Sequence, residues 1–77
     1  MCPKAKAIAL SILRDADAPF WDKAEAESYL RSEAIQPIMW SVGKALYWWV
    51  ECGNTFVRTD NPNKVFREWL RTATAEA

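Results

Sequence analysis

Seventy-seven residues, 51% of them hydrophobic and only two of them glycine, describe one small folded domain over residues 1–77, near the lower limit for a self-sufficient core. Ten basic and ten acidic residues cancel, which argues against a polybasic membrane anchor or a strongly cationic nucleic-acid binder. There is no histidine, so the commonest general base and the usual metal imidazole are both missing.

The remaining chemistry is equally sparse. Cys2 and Cys52 cannot close a zinc site alone, nor frame a secreted disulfide scaffold. Glu25 and Glu27 stand two apart, so on a helix they point to different sides. Gly43 and Gly53 are too few and too far apart for a phosphate-cradling loop. No catalysis, no cofactor and no metal is expected. The opening MCPKAKAIAL has too short an apolar run for a signal peptide, and Gln36, Pro37, Ser41 and Lys44 interrupt the apolar stretch 34–50 before it reaches the ~20 residues of a membrane span. A reduced, cytoplasmic protein without membrane attachment is expected.

In chain order, the first helix is expected over residues 3–16, with Pro3 tolerated in its first turn and Ala5, Ile8, Ala9, Ile12, Leu13 and Ala16 on one face. Asp17, Ala18 and Pro19 break it. Phe20 and Trp21 follow as a short extended piece. Asp22, with Glu25 three residues on, has the capping-box pattern that starts a second helix, KAEAESYLRSEA, which buries Ala26, Tyr29, Leu30 and Ala34.

The stretch 35–52, IQPIMWSVGKALYWWVEC, reads as a third helix opened by Pro37 and closed by Gly53. At ~100° per residue, Ile35, Ile38, Met39, Val42, Leu46, Trp49 and Val50 gather on one side. The opposite side holds Gln36, Lys44 and Glu51, but also Trp40, Tyr47 and Trp48. Rings on the side a helix keeps wet need a cover: the last helix through Phe66 and Trp69, a second copy, or a target. Gly43 inside this helix costs about 1 kcal/mol and is expected to mark a close backbone crossing.

Residues 55–59 alternate and are rich in β-formers, giving a strand that pairs with residues 18–21. Asn61 caps and Pro62 opens the last helix, whose inner face is Val65, Phe66, Trp69 and Leu70 and which frays into TATAEA. The expected fold is mainly α: four helices with a small β element. Charge is dipolar along the chain, with six acids and two bases over 15–33 and four bases and two acids over 58–71.

The segment SVGKALYWWVECGNTFVRT, residues 41–59, resembles the recognition helix and first wing strand of winged-helix domains, the helix-turn-helix variant of many small bacterial and phage regulators. KAEAESYLRSE with the turn before Pro37 is similar to the first helix-turn-helix positions, and RDADAPFWD to the loop and strand after the first helix. The resemblance covers about 50 of the 77 residues. It implies a winged-helix-like helix-turn-helix domain, a DNA-binding transcriptional regulator working as a homodimer. Lys44, Arg58, Asn61, Lys64, Arg67 and Arg71 are the residues suited to nucleic acid. The alternative is a small protein-binding inhibitor or adaptor, of the size phages use against host machinery (anti-CRISPR proteins included), acting through Trp40, Tyr47, Trp48 and Glu51. Lys44 as the single base on the third helix, the acidic helix before it and the aromatic face favour that alternative, whereas the resemblance over residues 41–59 favours the regulator, which is the expected function.

Overall fold

The computed structural model describes residues 2–75 and orders six elements: α1 (Pro3–Arg14), α2 (Phe20–Ala34), β1 (Ile35–Ser41), β2 (Lys44–Cys52), β3 (Thr55–Thr59) and α3 (Pro62–Ala75). The three strands form one antiparallel sheet in the order β1-β2-β3. The expectation of four helices in a winged-helix-like helix-turn-helix is therefore overturned. Residues 35–52 form a β-hairpin where a third helix was expected, and with it the recognition helix goes.

Local chemistry explains the hairpin. Eight of the eighteen residues 35–52 are β-branched or aromatic (Ile35, Ile38, Val42, Val50, Trp40, Tyr47, Trp48 and Trp49), types that fit a pleated surface better than a helix. Val42 and Gly43 both adopt left-handed angles, φ 51° and 74°, as a two-residue hairpin turn of the primed type requires. Apart from its two chain neighbours, nothing lies within 4 Å of where a Cβ on Gly43 would stand, so the glycine serves the turn and not a backbone crossing. Pro37 sits on β1, an edge strand, where its missing N–H costs no central ladder bond. Pairing is irregular just beyond it, around Ile38 and Met39. Gly53 is also left-handed, but in the tight turn that joins β2 to β3, where the Thr55 hydroxyl donates to the Cys52 carbonyl at 3.1 Å.

Val42 pays for its turn position, since a β-branched residue in the left-handed region is strained by about 1–2 kcal/mol. It makes no compensating burial, being 98% exposed. Val42→Asn is expected to raise the thermal midpoint by several degrees, about 4–8 °C per kcal/mol in a domain of this size, in a circular-dichroism melt. An unchanged or lowered midpoint would mean that the turn is not of this type.

The other elements fall closer to expectation. β3 spans the expected residues, but it pairs with β2 and not with residues 18–21, because Phe20 and Trp21 already belong to α2. Asp22 consequently lies inside the first turn of α2, near its positive end, and Pro19 holds the cap position. α3 begins as expected, with the Asn61 carboxamide oxygen accepting from the Lys64 N–H at 3.3 Å, and runs through Ala75, so TATA is helical; residues 76–77 lie outside the described residues.

The core lies between the helices and one face of the sheet. Ala9, Ala26, Leu30, Ala34, Val50 and Phe66 are buried, and Leu10, Ile12, Leu13, Ile35, Cys52, Val65, Trp69 and Leu70 pack around them. Ala9 of α1 and Ala26 of α2 are both buried in this cluster. Ile8 and Tyr29, expected inside, are exposed. Cations bind the shell together: Arg31 of α2 lies 5.2 Å from the Phe66 ring centroid, donates to Asn63 Oδ1 at 2.9 Å and pairs with Glu27 at 3.2 Å. Lys6 of α1 lies 5.2 Å from the Trp69 ring and donates to the Gly53 carbonyl at 3.4 Å.

Candidate functional site

In a strand, successive side chains point to opposite faces, and residues paired across an antiparallel ladder share a face. Ile35, Val50 and Val57 form one cross-sheet row, and Val50 is fully buried against the helices. The next row, Gln36–Trp49–Arg58, must point the other way. With it go Trp40 and its partner Ala45, then Tyr47, and Phe56 opposite Glu51. No helix covers this second face: Trp40 is 62% exposed, Tyr47 36%, Trp49 42% and Phe56 61%.

Two features give the face relief. Between Trp49, Phe56 and Gln36 lies an open groove of about 390 Å³, almost wholly apolar in its lining, with the Gln36 side chain at its border. That volume falls within the ~300–1,000 Å³ of small-ligand sites, although the groove is shallow. At the other end of the sheet Trp40 stands proud, about 13 Å away along the strand direction, four residues at ~3.3 Å each from Ala45 to Trp49. Between them the Arg58 guanidinium lies 4.7 Å from the Tyr47 ring centroid, a cation–π contact that spends the cation on an aromatic neighbour.

The expected partner-binding set is thus partly regrouped. Trp40 and Tyr47 do share an exposed face, and Glu51 lies half-buried on the same side. Trp48 does not join them: it is half-buried on the helix-facing side, paired with Pro37 and Thr59. Trp49, assigned to the core by the helical reading, is exposed on the open face instead. Phe56 and Gln36 are further members outside the helical reading: the alternation of β3 points to Phe56, whereas Gln36 on β1 joins the face only through its pairing with Trp49. Phe66 and Trp69, the proposed cover, pack on the opposite side of the sheet.

The residues suited to nucleic acid do not converge. Lys44 stands beside the hairpin turn, Arg58 on the open face, and Asn61 spends its side chain capping α3. Lys64, Arg67 and Arg71 are exposed along the outer side of α3, the side turned away from Phe66 and the sheet.

A second pair of exposed rings, absent from the sequence reading as a site, caps the far end of α2. Phe20 and Trp21 meet edge-to-face, centroids 5.6 Å apart, and both are about three-quarters exposed, at 75% and 77%. The two thiols differ. Cys2 is exposed at the start of α1, where backbone N–H groups of Ala5 and Lys4 favour its thiolate and lower its pKa. Burial pushes the Cys52 thiol up, partly offset by Lys6. Among the described residues no group of three His, Cys, Asp or Glu side chains gathers to hold a metal, and no helix is long and apolar enough to cross a membrane.

Comparison with protein-family models, with curated proteins and with solved structures finds no match to this chain.

Proposed function

We propose that this protein is a non-catalytic docking module that binds another protein surface through the open face of its sheet. The observation that carries the reading is the position of Trp40, Tyr47, Trp49 and Phe56, four exposed rings on one sheet face with all three helices on the other. Trp and Tyr concentrate binding energy at protein interfaces, and contiguous apolar patches of this kind mark interaction sites.

Electrostatics favours a protein over nucleic acid. The face offers Arg58 as its basic group, already stacked on Tyr47, and the whole chain has zero formal net charge. One neutralised phosphate gives a salt slope near −1 and little affinity. Rings beside an arginine can also stack unpaired bases, so single strands are the sharper competitor than duplex.

A fluorescence titration separates these. Neither mixed-sequence duplex nor single-stranded oligonucleotide is expected to give a saturable tryptophan change below roughly 100 μM at low salt, the range of weak non-specific binding. Micromolar binding that weakens with salt and is lost in Arg58→Ala overturns the reading in favour of nucleic acid. In the producing cell, benzoylphenylalanine placed at Tyr47 is expected on irradiation to give adducts that protease removes and nuclease leaves.

A further inference from the structure

We infer that the occupant of the open face is a second copy of this chain, in a two-fold dimer that seats Trp40 of each protomer in the groove between Trp49 and Phe56 of the other. The inference rests on the docking reading above and names its partner. A two-fold interface uses one patch twice, so it needs a knob and a hole on the same surface. This face has both, at opposite ends: an indole that protrudes at one end and a groove of about 390 Å³ at the other. The groove has room for one bicyclic ring, and Gln36 at its border offers an amide oxygen to an indole N–H. Two sheets stacked face to face, ~10 Å apart and rotated by about 30°, would convert an open α/β layer into a closed sandwich with helices outside.

Area and charge support a copy over an unlike partner. At the stated exposures, with ~150–250 Å² per aromatic side chain, the four rings of one protomer offer roughly 400 Å². Two protomers would bury about twice that from rings alone, and Gln36, Ala45 and Arg58 would bring the total near the ~1,200 Å² where stable interfaces begin. Zero formal charge removes the repulsion that like copies otherwise suffer. An interface at this threshold is expected to dissociate in the micromolar range, not the nanomolar.

Sedimentation across a concentration series tests this on the intact chain. The expected result is a reversible monomer–dimer equilibrium, 8.8 kDa at high dilution and twice that at high concentration. Trp40→Ala and Phe56→Glu, both at exposed positions, are expected to keep the circular-dichroism spectrum and to weaken the dimer at least ~100-fold, since each hot-spot contact occurs twice. Trp21→Ala, on the other exposed ring pair, is expected to change nothing. A chain that stays monomeric at the highest concentration overturns the inference, as does a dimer that Trp21→Ala disrupts and Trp40→Ala does not. The docking reading fails separately: it falls if the Trp40 and Trp49 indoles of the monomer are shielded from a collisional quencher.

Discussion

Phe66→Ala is expected to lower stability by about 3–5 kcal/mol and the thermal midpoint by at least ~15 °C, because truncating a fully buried aromatic removes both its transfer energy and its packing partners. The ring is sealed at the junction of α3 with α2 and β2, in the cluster with Leu30 and Val50. Trp69 lies 5.9 Å away, tilted by 48°, and the Arg31 guanidinium covers a face of the ring. Removing it would leave Arg31 without its aromatic support and α3 without its anchor. A domain of 77 residues carries only about 4–12 kcal/mol in total, so the variant is expected to be partly unfolded at 37 °C. A chemical-denaturation series on the wild type and the variant measures this, and a loss under about 1 kcal/mol would place Phe66 outside the core.

The second large effect separates two neighbours on β2. Val50→Ala is expected to cost about 2–3 kcal/mol, whereas Trp49→Ala, a far larger truncation, is expected to cost under about 1 kcal/mol. Val50 faces Leu30 and Phe66 and is fully buried; Trp49 faces away from the helices. The comparison belongs at protein dilutions that keep the chain monomeric, since any self-association adds stability by mass action. A helix over this stretch would bury both residues on one side and give the reverse ranking, with the Trp substitution the costlier.

That contrast also explains which parts of the fold were legible in the sequence. α1, α3 and the body of α2 announce themselves through Pro3, Pro62 with its Asn61 cap, and apolar residues at helical spacing, and those residues do form the core: Ala9, Ala26, Leu30, Ala34 and Phe66. Tight turns also left marks, since Gly43 and Gly53 are both left-handed, but a glycine after an apolar run can end a helix or join two strands. Residues 35–52 read as a helix because the stretch is apolar on both strand faces. With Trp49 and Val50 side by side, and Tyr47 and Trp48 before them, alternation is hidden, and a dense apolar run fits either period. The hidden alternation is itself the signal of the site. A sheet with one face on the core ordinarily reads apolar-polar, and the aromatic outer face that departs from this is the observation the docking proposal rests on.

Trp40 and Tyr47 were legible as exposed rings because large rings beyond the needs of a single core stripe stand out in any geometry. Trp48 and Trp49 exchanged roles because 100° per residue and 180° per residue sort adjacent positions differently. Nothing in composition could have located Gln36 beside Trp49, because that neighbourhood exists only once the hairpin register is set. The same holds for Arg58 over Tyr47, a diagonal contact between β3 and β2.

Nuclear Overhauser contacts of the Trp49 indole test the central claim most directly. In the monomer, cross-peaks are expected from Trp49 to Gln36, Phe56 and Arg58, while Val50 methyls reach Leu30 and Phe66. Cross-peaks from the Trp49 indole to side chains of α1, α2 or α3 within one protomer would contradict an uncovered aromatic sheet face, and with it both the docking surface and the dimer.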